Sequence, residues 1–186
     1  MPELHTDEQL LSRFAKGDDS ALGELARRHE LHLLGLARGL LDGRDDLARD
    51  VVQETWVRVI GAAKNFAGNS AVKTWLYRIL INRATDLRTR AAKLDRGLPG
   101  NVAQSNGHEP PPEAALESGE QADSLRTAVA ALSPDKRLIL LLSYHEGHSH
   151  ESAAEVLGIP LGTLKSRLHS ALEELRSRLG TQETTQ

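Results

Sequence analysis

The stretch "GIPLGTLKSRLHSAL", Gly158 to Leu172, decides the fold. It follows Ser149–Leu157, a short run that places Ala153, Ala154 and Leu157 on one helical face. Gly158 then permits a left-handed turn, and Pro160 opens a second helix at a fixed angle, which is the grammar of a helix-turn-helix. On that second helix Leu164, Leu168, Ala171, Leu172 and Leu175 share a face. Opposite them lie Ser166, His169 and Ser170, with Thr163 and Arg167 to one side and Lys165 to the other. Small polar residues flanked by cations suit a helix seated in a major groove, where central side chains meet base edges and marginal charges hold phosphates. Glu173 and Glu174 follow a turn later, so only the N-terminal half could lie deep in a groove. A plain helical hairpin with a solvated polar face is the competing reading, and this segment by itself leaves both open.

Working outward, the rest of the chain also reads as helix. Leu, Ala, Val and Ile supply the apolar residues and aromatics are only 3% of the sequence, which favours packed helices over a sheet. Thr6 and Gln9 have the reciprocal pattern of a capped helix start. A second helix is expected from Asp19 or Ser20 to about Leu41, and a third from about Asp46 to Ala63 with Val52, Trp56, Val59, Ile60 and Ala63 inward. A fourth, from about Ser70, turns Val72, Trp75, Leu76, Ile79, Leu80 and Leu87 inward. In the second half a helix is expected over Gln121–Ala131, then another in which Ser133 caps and Pro134 takes the first position. The fold class is all-α: an N-terminal helical bundle and a C-terminal four-helix domain with the helix-turn-helix.

Between the halves lies "GLPGNVAQSNGHEPPPEAALESGE", rich in Pro, Gly and Glu and too long for a loop inside a compact domain. It reads as a flexible linker, residues 97–120, joining 1–96 to 121–180, with 181–186 as a tail. Fully extended, about 25 residues span roughly 80 Å. The net charge of −3 hides an uneven distribution. Leu76–Arg96 carries Arg78, Arg83, Arg88, Arg90, Lys93 and Arg96 against two aspartates, whereas Gly97–Ser124 has five acidic residues and no Lys or Arg. The chain has no cysteine, which excludes disulfides and thiolate metal sites, and no apolar run near the ~18 residues that cross a bilayer. The N-terminus lacks the plan of a signal peptide, so a cytoplasmic protein is expected.

Three stretches in this order, "DVVQETWVRVI" from Asp50, "FAGNSAVKTWLYRILINRATDLR" from Phe66 and "LSPDKRLILLLSYHEGHSHESAAEVLGIPLGTLKSRLHSALEELR" from Leu132, resemble an extracytoplasmic-function (ECF) sigma factor of bacterial RNA polymerase. The resemblance implies a non-catalytic initiation factor in two parts, sigma region 2 and region 4. It implies docking of Asp50, Gln53, Glu54 and Val57 on the clamp helices of the polymerase beta-prime subunit, with the beta subunit as a further contact. Phe66, Asn69 and Asn82 would form a pocket for the non-template strand of the −10 element, and Lys73, Arg78 and Arg83 would hold its phosphates. Capturing the opened strand melts the duplex by shifting its equilibrium, without ATP. Thr163, Lys165, Ser166, Arg167 and His169 would read the −35 element as duplex. The tether is long enough to link elements almost two helical turns apart, each turn about 34–36 Å. An anti-sigma factor is the further partner implied, and could hold the protein at a membrane it does not itself span.

Trp75 and Tyr77 admit two roles, core packing or base stacking. Two departures from the family pattern stand out. "LAR" at 47–49 replaces a more acidic run and puts Arg49 beside the docking ridge, and Ser170 and Leu172 replace arginines on the recognition helix. Fewer phosphate contacts should lower duplex affinity and flatten its salt dependence. Thr55, taken as a hydroxyl near the ridge, is a candidate phosphorylation site whose added charge would offset Arg49. His145, His148 and His150 surround a glycine turn without a clear fourth ligand, so no metal or other cofactor is expected. A transcription regulator sharing only the helix-turn-helix is the alternative. Its sensor or receiver half would usually carry strands or a ligand pocket, which the helical first half lacks. Nothing supports an enzyme: "GIPLGTLK" has the wrong spacing for a phosphate loop, and no nucleophile elbow is present.

Overall fold

A computed structural model describes residues 5–97, 120–146 and 148–182. Most of the proposed acidic tether and the last residues of the tail lie outside the described residues, as does the side chain of His145. The described residues form eight α-helices and no strand: α1 Asp7–Ala15, α2 Asp19–Leu40, α3 Asp45–Ala62, α4 Val72–Gly97, α5 Glu120–Ala130, α6 Pro134–Leu140, α7 His150–Leu157 and α8 Leu161–Gln182.

The local chemistry sets the boundaries. Thr6 and Gln9 close a reciprocal cap on α1, with Gln9 N–H donating to Thr6 Oγ1 at 3.2 Å and Thr6 N–H donating to Gln9 Oε1 at 2.8 Å. Asp18 caps α2 by accepting from Ser20 N–H at 3.1 Å. Helix α2 stops where Asp42 (φ 56°) and Gly43 (φ 78°) both turn left-handed. Gly158 does the same between α7 and α8 at φ 65°, and Ser149 caps α7 by accepting from Ser152 N–H at 3.1 Å. Ser133 sits at the N-cap of α6 but makes no side-chain capping bond; the helix starts on Pro134 alone. Helix α6 runs on as a wider turn over Leu141–His145.

Helices α1–α4 form the N-terminal bundle around Leu10, Leu25, Leu33, Leu36, Val59, Leu76 and Leu80, all buried. Each such leucine contributes about 1.5–3 kcal/mol on leaving water. Asp7 pins α1 to α2 through Arg28 Nη1 at 3.0 Å and His29 Nε2 at 2.6 Å, so His29 is a structural residue. Helices α5–α8 form the second group around Ile139, Leu142, Leu164, Leu168 and Ala171.

The two groups meet along a seam that a reading of separate tethered domains does not foresee. Helix α2 touches α6, and α4 touches α7. Leu141 packs so closely on Gly39 that a Cβ there would lie 2.6 Å from its Cδ1. Tyr77 on α4 is buried, and its O–H donates to Glu146 Oε2 at 2.5 Å. Arg137 crosses from α6 to pair with Asp42 and caps its own group by donating to the Ala130 carbonyl. Among the described residues no helix is long and apolar enough to cross a membrane.

Candidate functional site

Three surfaces carry the residues singled out by the sequence. The first is the outer face of α3, where Asp50, Gln53, Glu54 and Val57 are all exposed, Val57 at 61%. Ile60, expected inward, instead stands 50% exposed beside Val57 and extends this ridge as an apolar pair. The buried arc of α3 is Ala48, Val51, Val52, Thr55 and Val59. It is rotated by most of one residue's ~100° step from the stripe centred on Trp56, which is only half-buried. The same rotation overturns the phosphorylation reading. Thr55 is fully buried and its Oγ1 donates to the Val51 carbonyl at 2.8 Å, so the hydroxyl is out of a kinase's reach.

Arg49 does not leave a free positive charge beside the ridge. Its guanidinium reaches Asp45 one turn earlier at 3.0 Å. Hydrogen bonds from Arg38 and then Arg49 hold the Asp45 carboxyl below its usual range, against the opposing effect of burial. Glu54 is likewise engaged, paired with Arg83 of α4.

The second surface joins the loop before α4 to that helix. Phe66 stacks obliquely on Trp75, with ring centroids 5.0 Å apart and planes at 49°. Both rings are half-buried, so Trp75 packs and still shows an edge to solvent. Asn69 is exposed in the loop, which turns at Gly68 (φ 70°). Asn82 is exposed on α4, seven residues beyond Trp75 and thus about 10 Å along the helix. Arg83 is 16% exposed and faces α3. Lys73 and Arg78 face the second helical group. Lys73 Nζ lies 3.4 Å from the Glu146 carbonyl and 5.6 Å from the Tyr77 ring centroid, and Arg78 donates through Nε to the Glu155 carbonyl at 3.1 Å.

Tyr77, whose role the sequence left open, His148, and Glu146, which the sequence did not single out, complete this corner. His148 is buried edge-on to Tyr77, centroids 4.6 Å apart, with Nδ1 2.9 Å from Ser152 Oγ. Burial, and then the nearby Lys73 charge, push its pKa down to about 4, while Glu146 opposes. Burial and Glu146 raise the Tyr77 phenol. The carboxylate of Glu146 is wholly buried and also lies 3.3 Å from His32 Nδ1. Tyr77 had a signal in its helical spacing. Glu146 and His148 had none, since their partners are about 70 residues away in the chain.

The third surface is α8. Leu164, Leu168 and Ala171 are buried, and Leu172 and Leu175 half-buried. Lys165, Ser166, Arg167 and His169 are exposed, with Thr163 half-exposed at the start of the row. Ser166 Oγ donates to the Thr163 carbonyl at 3.0 Å, and His169 Nε2 lies 3.3 Å from Glu173 Oε1. Lys165 and Arg167 enter no ion pair among the described residues, so their charges are available to an anion.

A helix pair joined by a left-handed glycine turn and carrying a cationic outer face, beside a bundle with its own basic helix, defines a helical protein built to meet nucleic acid. The chain matches the family profile of Sigma-70 region 2 over residues 25–94 and that of Sigma-70, region 4, over residues 122–175. It is 32% identical to the RNA polymerase sigma-H factor of Pseudomonas aeruginosa, covering 93% of both chains. It is 28% identical to the ECF RNA polymerase sigma-E factor of Haemophilus influenzae, over 96% of this chain and 98% of that one. The sigma factor RpoE of Bartonella quintana, solved in complex with the anti-sigma factor NepR, superposes with a TM-score of 0.70 at 25% identity, over 88% and 99% of the two chains. The chain belongs to the sigma-70 family, as a sigma factor of the ECF group.

Proposed function

We propose that this sigma factor divides its work among the three surfaces. Residues 1–96 act as region 2, 97–120 as a tether, 121–180 as region 4 and 181–186 as a tail. The α3 ridge of Asp50, Gln53, Glu54 and Val57, with Ile60 added, docks on the clamp helices of the beta-prime subunit; an apolar pair ringed by polar residues has the make-up of an interface centre. Phe66, Asn69 and Asn82 receive bases of the opened −10 strand, with Lys73 and Arg78 on its phosphates, and Arg83 positions Glu54 rather than DNA. Thr163, Lys165, Ser166, Arg167 and His169 read the −35 duplex in the major groove.

The exposed row on α8, where Lys165 and Arg167 flank Ser166 and form no ion pair among the described residues, is the observation that carries this reading. An anti-sigma factor that covers these surfaces is the regulatory partner, supported by the complex known for a relative. The protein works in the cytoplasm, without catalysis of its own. The test is initiation by core RNA polymerase on a genomic library with and without the protein. Protein-dependent transcripts sharing two upstream elements support the reading, and core binding that yields none contradicts it.

A further inference from the structure

What a polar side chain can read on DNA depends on where its hydrogen lies, and on α8 the fold places two such hydrogens. Ser166 Oγ donates to the Thr163 carbonyl one turn earlier at 3.0 Å. Its hydrogen is spent on the helix's own backbone, so the exposed oxygen faces outward as an acceptor. One turn after His169, Glu173 Oε1 lies 3.3 Å from the ring's Nε2. A carboxylate only accepts, so the hydrogen of the neutral ring sits on Nε2 and Nδ1 is left as an acceptor. Glu174 is taken by Lys136 and Arg178, each at 2.7 Å, whereas among the described residues Glu173 meets His169 alone. Both members of the pair are exposed, at 72% and 63%, and in water such a pair adds little to stability. Seated in a groove it sheds that water, and the same contact then fixes the ring far more firmly.

We infer that Glu173 is a positioning residue for sequence reading: it sets His169 as an acceptor which, with Ser166, selects adenine N6 or cytosine N4 amino groups at the two base pairs they face. The inference rests on the major-groove seat proposed above for α8. Guanine and thymine show only acceptors, and in thymine a methyl group, at their major-groove edges. Either would set lone pair against lone pair at these two places and leave both sides without a hydrogen. Lys165 and Arg167 carry donors only, so the choice of an amino-bearing base falls to the central pair. The ring is ordered before DNA arrives, which spares the complex part of the cost of fixing it.

The test reads base preference at every upstream position, from the start sites that core polymerase selects in a genomic library at about pH 8, where an ordinary histidine is neutral. The full-length parent is compared with Glu173→Ala, Glu173→Gln and His169→Ala. The parent is expected to favour adenine or cytosine at the position that His169→Ala alters. Glu173→Ala should weaken that preference about threefold and leave the other positions as they were. Glu173→Gln should keep it, because its amide oxygen still accepts from Nε2. Both variants lose a charge that phosphates repel, so the difference between them isolates the acceptor. Thermal midpoints should match in all four proteins, which separates positioning from a structural role. An unchanged preference in Glu173→Ala, or an equal loss in Glu173→Gln, overturns the proposal while His169 remains a reader. Guanine or thymine favoured at that position overturns it as well. If His169→Ala alters no position, its seat in the groove fails, and the proposal with it.

Discussion

At the scale of single residues, the side chains that matter are those whose surroundings differ from what their type suggests. Thr55 is a hydroxyl among valines, tolerated because its Oγ1 returns a hydrogen bond to the Val51 carbonyl. Thr55→Asp would place a carboxylate in that position with no cation to meet it. The variant is expected to lose about 3 kcal/mol or more of stability, seen as a fall in thermal midpoint, and to show no gain in polymerase recruitment. A stable variant that recruits core better would restore the phosphorylation reading. Arg49 shows the opposite case: a charge that looks disruptive in the sequence is already answered by Asp45 on the same helix.

At the scale of elements, the amphipathic helices were legible wherever the apolar stripe was long and even. The leucine row of α8 and the left-handed Gly158 follow from spacing alone, and both stand in the structure. Helix α3 was legible as a helix but not in its rotation. A tryptophan in a window of valines draws the inferred stripe toward itself, yet the small residues Ala48, Val51 and Thr55 pack closest to the neighbouring helices. That error hid Ile60, which now stands with Val57 on the docking ridge. Both are exposed, so a Val57→Ser/Ile60→Ser protein should keep its folding stability to within about 0.5 kcal/mol. Its affinity for core polymerase should fall about tenfold or more, because an aliphatic side chain buried at an interface contributes about 1.5–3 kcal/mol. Unchanged affinity in a binding titration would remove Ile60 and Val57 from the interface.

At the scale of the whole molecule, periodicity shows which face of a helix is apolar, but not that α4 and α7 meet across a break of some 70 residues. The seam was therefore the least legible feature of the chain, and it carries a pH dependence. His148 titrates near 4 where it is packed on Tyr77 and near the ordinary histidine value of about 6.5 once exposed. The state with His148 exposed then binds more protons, so the packing of His148 is at full strength above about pH 6.5 and weakens as pH falls toward 4. Lys73 on α4 works against protonation, Glu146 favours it, and His32 on α2 shares the Glu146 carboxylate. Between pH 7.5 and 5.5 the ratio of packed to exposed His148 should drop about tenfold, read as a fall in folding stability by chemical denaturation, and His148→Gln should abolish the change. An equal ratio at both pH values would show that His148 does not sense the seam. That α8 reads the upstream element and α4 the downstream one can be seen by sequencing the start sites that core polymerase selects from a genomic library with the parent protein and with a Ser166→Ala/His169→Asn variant. The preferred bases should change in the upstream element while the downstream element stays as it was. A change confined to the downstream element, or no change in either, would contradict it.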